Sequence, residues 1–550
     1  MDKKILLNTL FVIIYLLFLT VIILTRLQGI SLRPMHCDEA NQAYKAGILL
    51  EKGIYKYDPY EHHGPLLYYS TLPVFYLYKV HQFKDTNEAM FRIVPLLFSI
   101  LLFLPLFFIK KYIGTIAFLV SSLFLAISHA FFFYSRYYIH EILFVLFATL
   151  FIFSVWAYIN KPKTSTTVFT ALFLSLAFAT KETTVVILFS TGLAIIATSF
   201  FLFKTRHITA ENDPSTNTTF STRKTWQHLL LFFIVFIIPW ILLYSSFFTN
   251  WQGLIDFFKA YQTYIVRASG EGSSGIHDKP WWYYLQIITH FNKTVGPVWT
   301  EGIIIPLCII GIISFVLKLV IIFIKRTYSQ KERTTIAINI FLFISFFSTF
   351  LLFSLIPYKT PWNILFPLLG MIIFAGVGFQ FFWFTFRRIW LRIILFILLF
   401  IGAIHLGYLT YQGNYIYYAD ISNPYVYAHT TTSLVKMMGR IYELSDILKH
   451  ENREPIVFVI SSNNDYWPIP WYLRKIEKKG FWQEIPITED IKVPFIIISP
   501  EFSERLEELL SNSPYMKEVY SIRPGVFRYL YIEQQLWDKF IETQTTKTRN

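Results

Sequence analysis

Pro34-Met35-His36-Cys37-Asp38-Glu39-Ala40-Asn41 directly follows the first long apolar run of the chain, Ile5 to Leu24. Two adjacent carboxylates therefore stand just beyond a segment of the length, about 20 residues, that spans a hydrocarbon core. A charged side chain near bilayer depth is costly and needs a partner or a functional reason. Two readings follow. Asp38 and Glu39 mark an active site at the outer membrane face, or they cap a helix that starts near Glu39, since Asp is a favoured N-cap.

The rest of the chain bears on that choice. Of its 550 residues, 54% are hydrophobic and only 15% charged, against about 25% charged in ordinary soluble domains. This is the composition of a multi-spanning α-helical membrane protein. The net charge of +14 fits cytoplasmic loops that hold topology, so no nucleic-acid partner is expected. Cys37 and Cys308 are the only cysteines, too sparse for a disulfide framework or a zinc site. Met1-Asp2-Lys3-Lys4 precedes the first run. That run is too long for a signal-peptide core and no small-residue cleavage site follows, so it reads as a retained anchor with a cytoplasmic N-terminus.

Further apolar runs cover residues 91–109, 112–134, 142–158, 168–180, 183–203, 229–248, 303–324, 336–356, 364–384 and 389–410. With the first run these make roughly 11 transmembrane helices. Leu66 to Val80 is short, follows Pro65 and contains Pro73, and reads as an interfacial or re-entrant helix. Each expected inner connection carries at least two Lys or Arg, whereas the short outer turns carry isolated ones: Arg136, Lys181 and Lys359. Residues 1–410 thus form a transmembrane domain with external loops at 26–90 and 249–300. From residue 411 the composition changes. Runs such as Ile456 to Ile460 and Pro494 to Ser499 alternate with helical patterns at Trp471 to Lys479 and Glu501 to Leu510. Residues 411–550 read as a small extracytoplasmic α/β domain with a mainly parallel sheet.

Four polar features then share the external side: His36-Cys37-Asp38-Glu39, Glu61-His62-His63-Gly64-Pro65, the stretch from Tyr134-Ser135-Arg136 to His140-Glu141, and the cations Lys181, Arg267, Lys279 and Lys359. A lipid-phosphate sugar donor needs such a set. Its phosphate wants Lys or Arg, and the incoming hydroxyl needs a base, for which a carboxylate is suited. Asp38 is the candidate base, and Glu141 holds the acceptor, binds a metal or orients Asp38. A divalent cation stays open as a cofactor, because the spacing of His36, Asp38, His62, His63 and Glu141 matches no ligand motif. The plain alternatives are loop histidines, a structural Arg136–Glu141 pair at a helix end, and lysines that snorkel to headgroups.

The chain resembles the GT-C superfamily of polyprenyl-phosphate-dependent glycosyltransferases, on the protein mannosyltransferase-like branch, and within it a prokaryotic flippase-activity-associated group. The residues that carry the resemblance are Met35 to Ala40, Tyr57-Asp58-Pro59, His63 to Tyr69, Ser135-Arg136 through Glu141, Thr180-Lys181-Glu182, Pro357 to Trp362 and Asp465 to Arg474. It implies a membrane hexosyltransferase, inverting in type, that moves a sugar from a polyprenyl-phosphate donor to a glycan, lipid or protein acceptor outside the cell membrane. Asp38, Glu39 and Glu141 would be catalytic. Lys181, Arg136 and Lys359 would face the donor phosphate, and His36, His62, His63 and Tyr358 would line the substrate. The competing implication is translocation of lipid-linked sugars without catalysis. The scarcity of charge within the spans favours transfer.

Overall fold

The computed structural model describes residues 3–60, 63–205, 222–269, 277–293, 295–325, 329–486, 492–511 and 513–549. Among these, nine helices are long and apolar enough to cross a membrane. The first, α1, is Lys3–Leu27. Two of the eleven expected crossings are shorter. The run 112–134 is divided at Ser128, whose side chain accepts from the Phe131 N–H and caps a second piece, His129–Tyr134, after Thr115–Ile127. The run 168–180 becomes Thr164–Phe178. Leu66–Leu77 has 12 residues, or about 18 Å of helix, too short to span.

The polar segments gather at one end of the bundle. Arg92, at the start of the Glu88–Leu101 helix, donates to the Ile30 and Arg33 carbonyls. Met35 N–H donates to the Tyr472 hydroxyl at 2.9 Å, and Thr430 donates to the Met35 carbonyl at 2.6 Å. The opposite end is tied separately, with Arg333 donating to Leu202 O and Thr205 Oγ1 at 2.6 and 3.1 Å.

The expectation of a mainly parallel C-terminal sheet is corrected. The five strands β1 (Ile456–Ile460), β2 (Lys478–Trp482), β3 (Phe495–Ile498), β4 (Tyr515–Arg523) and β5 (Val526–Glu533) run in the order β2-β1-β3-β5-β4. Only β2-β1-β3 is parallel; β3-β5 and β5-β4 are antiparallel. Residues 478–482 pair along β1 as a strand, so the helix expected over 471–479 shrinks to Ile469–Tyr472. The central strand β3 is buried along its whole length, which is why it is uniformly apolar rather than alternating. Its Phe495 and Ile497 face one core and Ile496 and Ile498 another, as a two-residue period dictates.

The first of these cores also contains Met35, Ala40, Ala43 and Tyr68 of the first loop, between α1 and the Glu88–Leu101 helix. The sheet is therefore packed into that loop. Segment Asp465–Arg474 makes the junction: Cys37 Sγ donates to Trp467 O at 3.3 Å, Trp471 Nε1 to Glu88 Oε1 at 3.2 Å, and Arg474 to Thr86 O at 2.7 Å.

Candidate active site

The first helix of this loop, α2 (Cys37–Lys52), carries the two carboxylates in its first turn. His36, rather than Asp38, is the N-cap, and Glu39 completes a capping box by accepting from the His36 N–H at 3.2 Å. Adjacent residues on a helix are about 100° apart, so Asp38 and Glu39 enter different surroundings. The Asp38 side chain is 48% exposed and lines a cavity of about 380 Å³, within the range of roughly 300–1,000 Å³ typical of small-molecule sites.

Glu39 faces the other way and is sealed. It accepts from Arg92 Nε and Nη2, both at 2.8 Å, and from the Tyr138 N–H at 2.9 Å. Both partners of the ion pair are 0% exposed. Burial alone would raise the Glu39 carboxyl, but the Arg92 and Arg33 guanidinium charges hold it below the usual carboxylate range. With every oxygen engaged and no exposure to the cavity, Glu39 fastens the first loop to the bundle.

Residues far apart in sequence complete the cavity. Glu141 opens a helix, Glu141–Asn160, and Lys181 lies in the break between Thr164–Phe178 and Thr184–Lys204. Lys181 Nζ donates to Glu141 Oε1 at 2.5 Å and to Asn363 Oδ1 at 3.0 Å. Both charged side chains are about 4% exposed. An ammonium has three N–H donors, so one remains for a ligand. Next to it, Glu182 also reaches the cavity and is held by other partners. Tyr57 donates to its Oε1 at 2.7 Å, and His63 Nδ1 lies 2.8 Å from its Oε2 and 2.7 Å from the Tyr264 hydroxyl. Burial would raise the Glu182 carboxyl, yet His63 and Tyr57 hold it low. Gly64 lets these segments meet: a Cβ there would lie 2.2 Å from the Ala179 carbonyl oxygen. Apolar side chains of Val185, Val186, Phe353 and Ile356 cover another part of the cavity wall.

Asp38, Glu141, Lys181, His63 and Tyr358 thus share one cavity. His62 and the side chain of Arg267 lie outside the described residues. Three other expected site residues are used elsewhere, as Glu39 is. Arg136 donates to the Gln28 and Gly29 carbonyls at 2.8 and 2.5 Å, satisfying acceptors at the end of α1 that a helix terminus leaves open. Lys359 Nζ donates to the carbonyls of Ile356 and Lys279, and burial, opposed by Asp278, lowers its pKa. Neither lines the cavity. His36 is buried. Its Nδ1 accepts from the Asp38 N–H at 3.0 Å, and its Nε2 lies 2.8 Å from Tyr427 O. That pattern fixes a neutral ring with the proton on Nε2, and burial lowers its pKa. The approach of Asp38 Oδ2 to Nδ1 at 3.7 Å is therefore not an ion pair.

Four contributors went unpredicted. Gln42 sits one turn after Asp38, and Glu182, Tyr264 and Asn363 line the same space. The i, i+4 spacing of Asp38 and Gln42 was a usable signal; nothing in sequence places Tyr264. Among the described residues, no group of three or more His, Cys, Asp or Glu side chains is gathered closely enough to hold a metal ion.

Residues 16–255 match the family model described as dolichyl-phosphate-mannose-protein mannosyltransferase. By structure, the chain is similar to ArnT from Cupriavidus metallidurans bound to undecaprenyl phosphate. The identity is 13% and the TM-score 0.55, over 95% of this chain and 98% of that one. A second structural neighbour is the archaeal oligosaccharyltransferase AglB from Archaeoglobus fulgidus, in complex with an inhibitory peptide and a dolichol-phosphate. It is 11% identical with a TM-score of 0.50, over 93% of this chain and 74% of that one. No curated protein sequence matches the chain.

Proposed function

We propose that this chain is a GT-C glycosyltransferase that transfers a sugar from a polyprenyl-phosphate donor to an acceptor on the extracytoplasmic side of the cell membrane, with Asp38 as general base. One observation carries this: a half-exposed carboxylate, Asp38, and a buried lysine, Lys181, line one cavity that also has an apolar wall. A lipid-linked sugar phosphate has the matching parts, a hydrocarbon tail, an anion and a reactive sugar carbon. The ArnT and AglB neighbours, crystallised with undecaprenyl phosphate and a dolichol-phosphate, support the donor class. In this reading the N-terminus lies in the cytoplasm and the sheet domain outside.

In this mechanism Asp38 accepts the proton of the acceptor hydroxyl as its oxygen attacks the anomeric carbon. The bond from that carbon to the phosphate oxygen breaks, and the electron pair leaves on polyprenyl phosphate. The attack comes from the face opposite the phosphate, so the anomeric centre inverts. Lys181 donates its remaining N–H to the phosphate oxygen that gains charge, a contact strengthened as the transition state forms. Glu141 and Asn363 hold the ammonium in place. His63, set against Glu182, and Tyr358 contact the substrate. The test is donor consumption by the protein in nanodiscs: Lys181→Met is expected to raise the KM for the lipid-linked sugar, while equal effects on donor and acceptor KM would argue against a phosphate contact.

A further inference from the structure

A second concavity, of about 520 Å³, lies between α2 and the sheet domain and shares no lining residue with the cavity above. Four separate segments supply its rings: Tyr44 from α2, Phe83 from the first loop, Tyr466 and Trp467 from the junction segment, and Phe481 from β2. The rings are angled into a trough rather than stacked shut. Tyr44 stands edge-on to Trp467 and Phe83 with centroids 5.9 and 5.8 Å away, and Tyr466 lies 5.0 Å from Phe481. Tyr44 is 41% exposed. Around the rings stand Gln82, Lys84, Glu477 and Lys479, donors and acceptors of both signs. Lys84 and Glu477 are 3.8 Å apart, with side chains 46% and 87% exposed, so their pairing is weak and water-screened.

We infer that this trough binds the saccharide part of the acceptor, an uncharged oligosaccharide stacked on Tyr44, Trp467 and Phe481. A pyranose has an apolar C–H face and a rim of hydroxyls. An aromatic floor with a polar rim of both signs complements both. An anionic glycan would meet Glu51 and Glu477, while two of the three lining cations, Arg474 and Lys479, already donate to backbone carbonyls. A peptide added along β2, the sheet-edge strand, would need a row of backbone groups; here the floor is side-chain rings from several elements.

The position relative to Asp38 gives the trough its use. Cys37 and Tyr44 are seven residues apart and share a face of α2, and the Trp467 carbonyl at the trough accepts from Cys37 Sγ at 3.3 Å. The residue that precedes Asp38 thus contacts a residue of the trough, and in this inference the far end of the oligosaccharide extends from there toward the base. This inference rests on the transferase reading, and it makes the acceptor a glycan.

The test is saturation-transfer NMR on the full-length protein in nanodiscs, with α-mannotriose and chitotriose as probes. The expected result is ring-to-sugar saturation with at least one trisaccharide, at least tenfold weaker in Tyr44→Ser and in Phe481→Ser, and kept in Tyr44→Phe. No saturation from either probe, equal saturation in the serine variants, or displacement by a neutral hexapeptide would overturn it. Asp38→Asn separates the two claims. It should keep trisaccharide binding while donor consumption stops; binding kept with donor consumption unaffected removes the transferase reading alone, and consumption lost without any trisaccharide binding removes the trough alone.

Discussion

Replacing Glu39 by Gln isolates the structural carboxylate from the chemical one. The side chain keeps its shape, but one acceptor oxygen becomes an NH₂ donor. On either side it meets only donors. The Oε1 position faces Arg92 Nε and Tyr138 N–H, and the Oε2 position faces Arg92 Nη2 and His36 N–H. Whichever way the amide turns, two hydrogen bonds are lost and the Arg92 charge stays buried without its counter-ion. Breaking a buried pair in this one-sided way costs about 3–5 kcal/mol, or about two to four orders of magnitude in the ratio of folded to unfolded protein. Membrane proteins often unfold irreversibly, so the assay is the rate of thermal inactivation in nanodiscs, followed by tryptophan fluorescence, with donor consumption measured per folded molecule. Glu39→Gln should inactivate far faster, yet its folded fraction should consume donor at nearly the wild-type rate. A variant as stable as wild type that has lost turnover would place Glu39 in the chemistry and refute the structural assignment.

Acid should expose the same pair. A carboxyl whose folded pKa is depressed contributes stability above its unfolded pKa and loses it as pH falls through the folded value. Wild-type thermal stability should therefore hold above the usual carboxylate range and decline below it, and Glu39→Gln should lack that part of the decline; parallel pH profiles would contradict the assignment. Gly64→Ala should push the first loop away from Ala179, costing about 1–3 kcal/mol as overpacking does, and should impair donor use through His63, read as a rise in KM with a fall in melting temperature. Arg136→Gln should lower melting temperature and leave the KM for donor unchanged, because its guanidinium serves the Gln28 and Gly29 carbonyls; a raised KM with normal stability would return it to the phosphate site.

The membrane architecture was legible because hydrophobic runs of spanning length have few other solutions. The division of the run 112–134 was not, because a Ser inside an apolar stretch looks tolerable until its hydroxyl is seen to cap a new helix. In the sheet domain, strands buried on both faces announced themselves as apolar runs, whereas β4 and β2 carry Lys and Glu or Gly and sit at the edges of the sheet, where one side is wet. The site was half legible. Asp38, Glu141 and Lys181 stand in or beside the turns between apolar runs and do converge on one cavity. Neighbouring charges misled where each was assigned the same role as its neighbour: a 100° step along α2 sends Glu39 into the core. Arg92 was the available clue, since a cation opening an otherwise apolar helix requires a counter-charge. Arg136 and Lys359 show the converse. A cation at the membrane boundary has backbone carbonyls to serve as well as phosphates, and sequence does not say which it reaches.

The most direct measurement is the single-turnover rate of sugar release from a polyprenyl-phosphate donor in nanodiscs, wild type against Asp38→Asn, both shown to be folded by tryptophan fluorescence. Loss of the base should slow the step by about 10²- to 10⁴-fold while donor affinity, held by Lys181, stays within a few-fold. An unchanged rate in Asp38→Asn would contradict general-base transfer at this cavity.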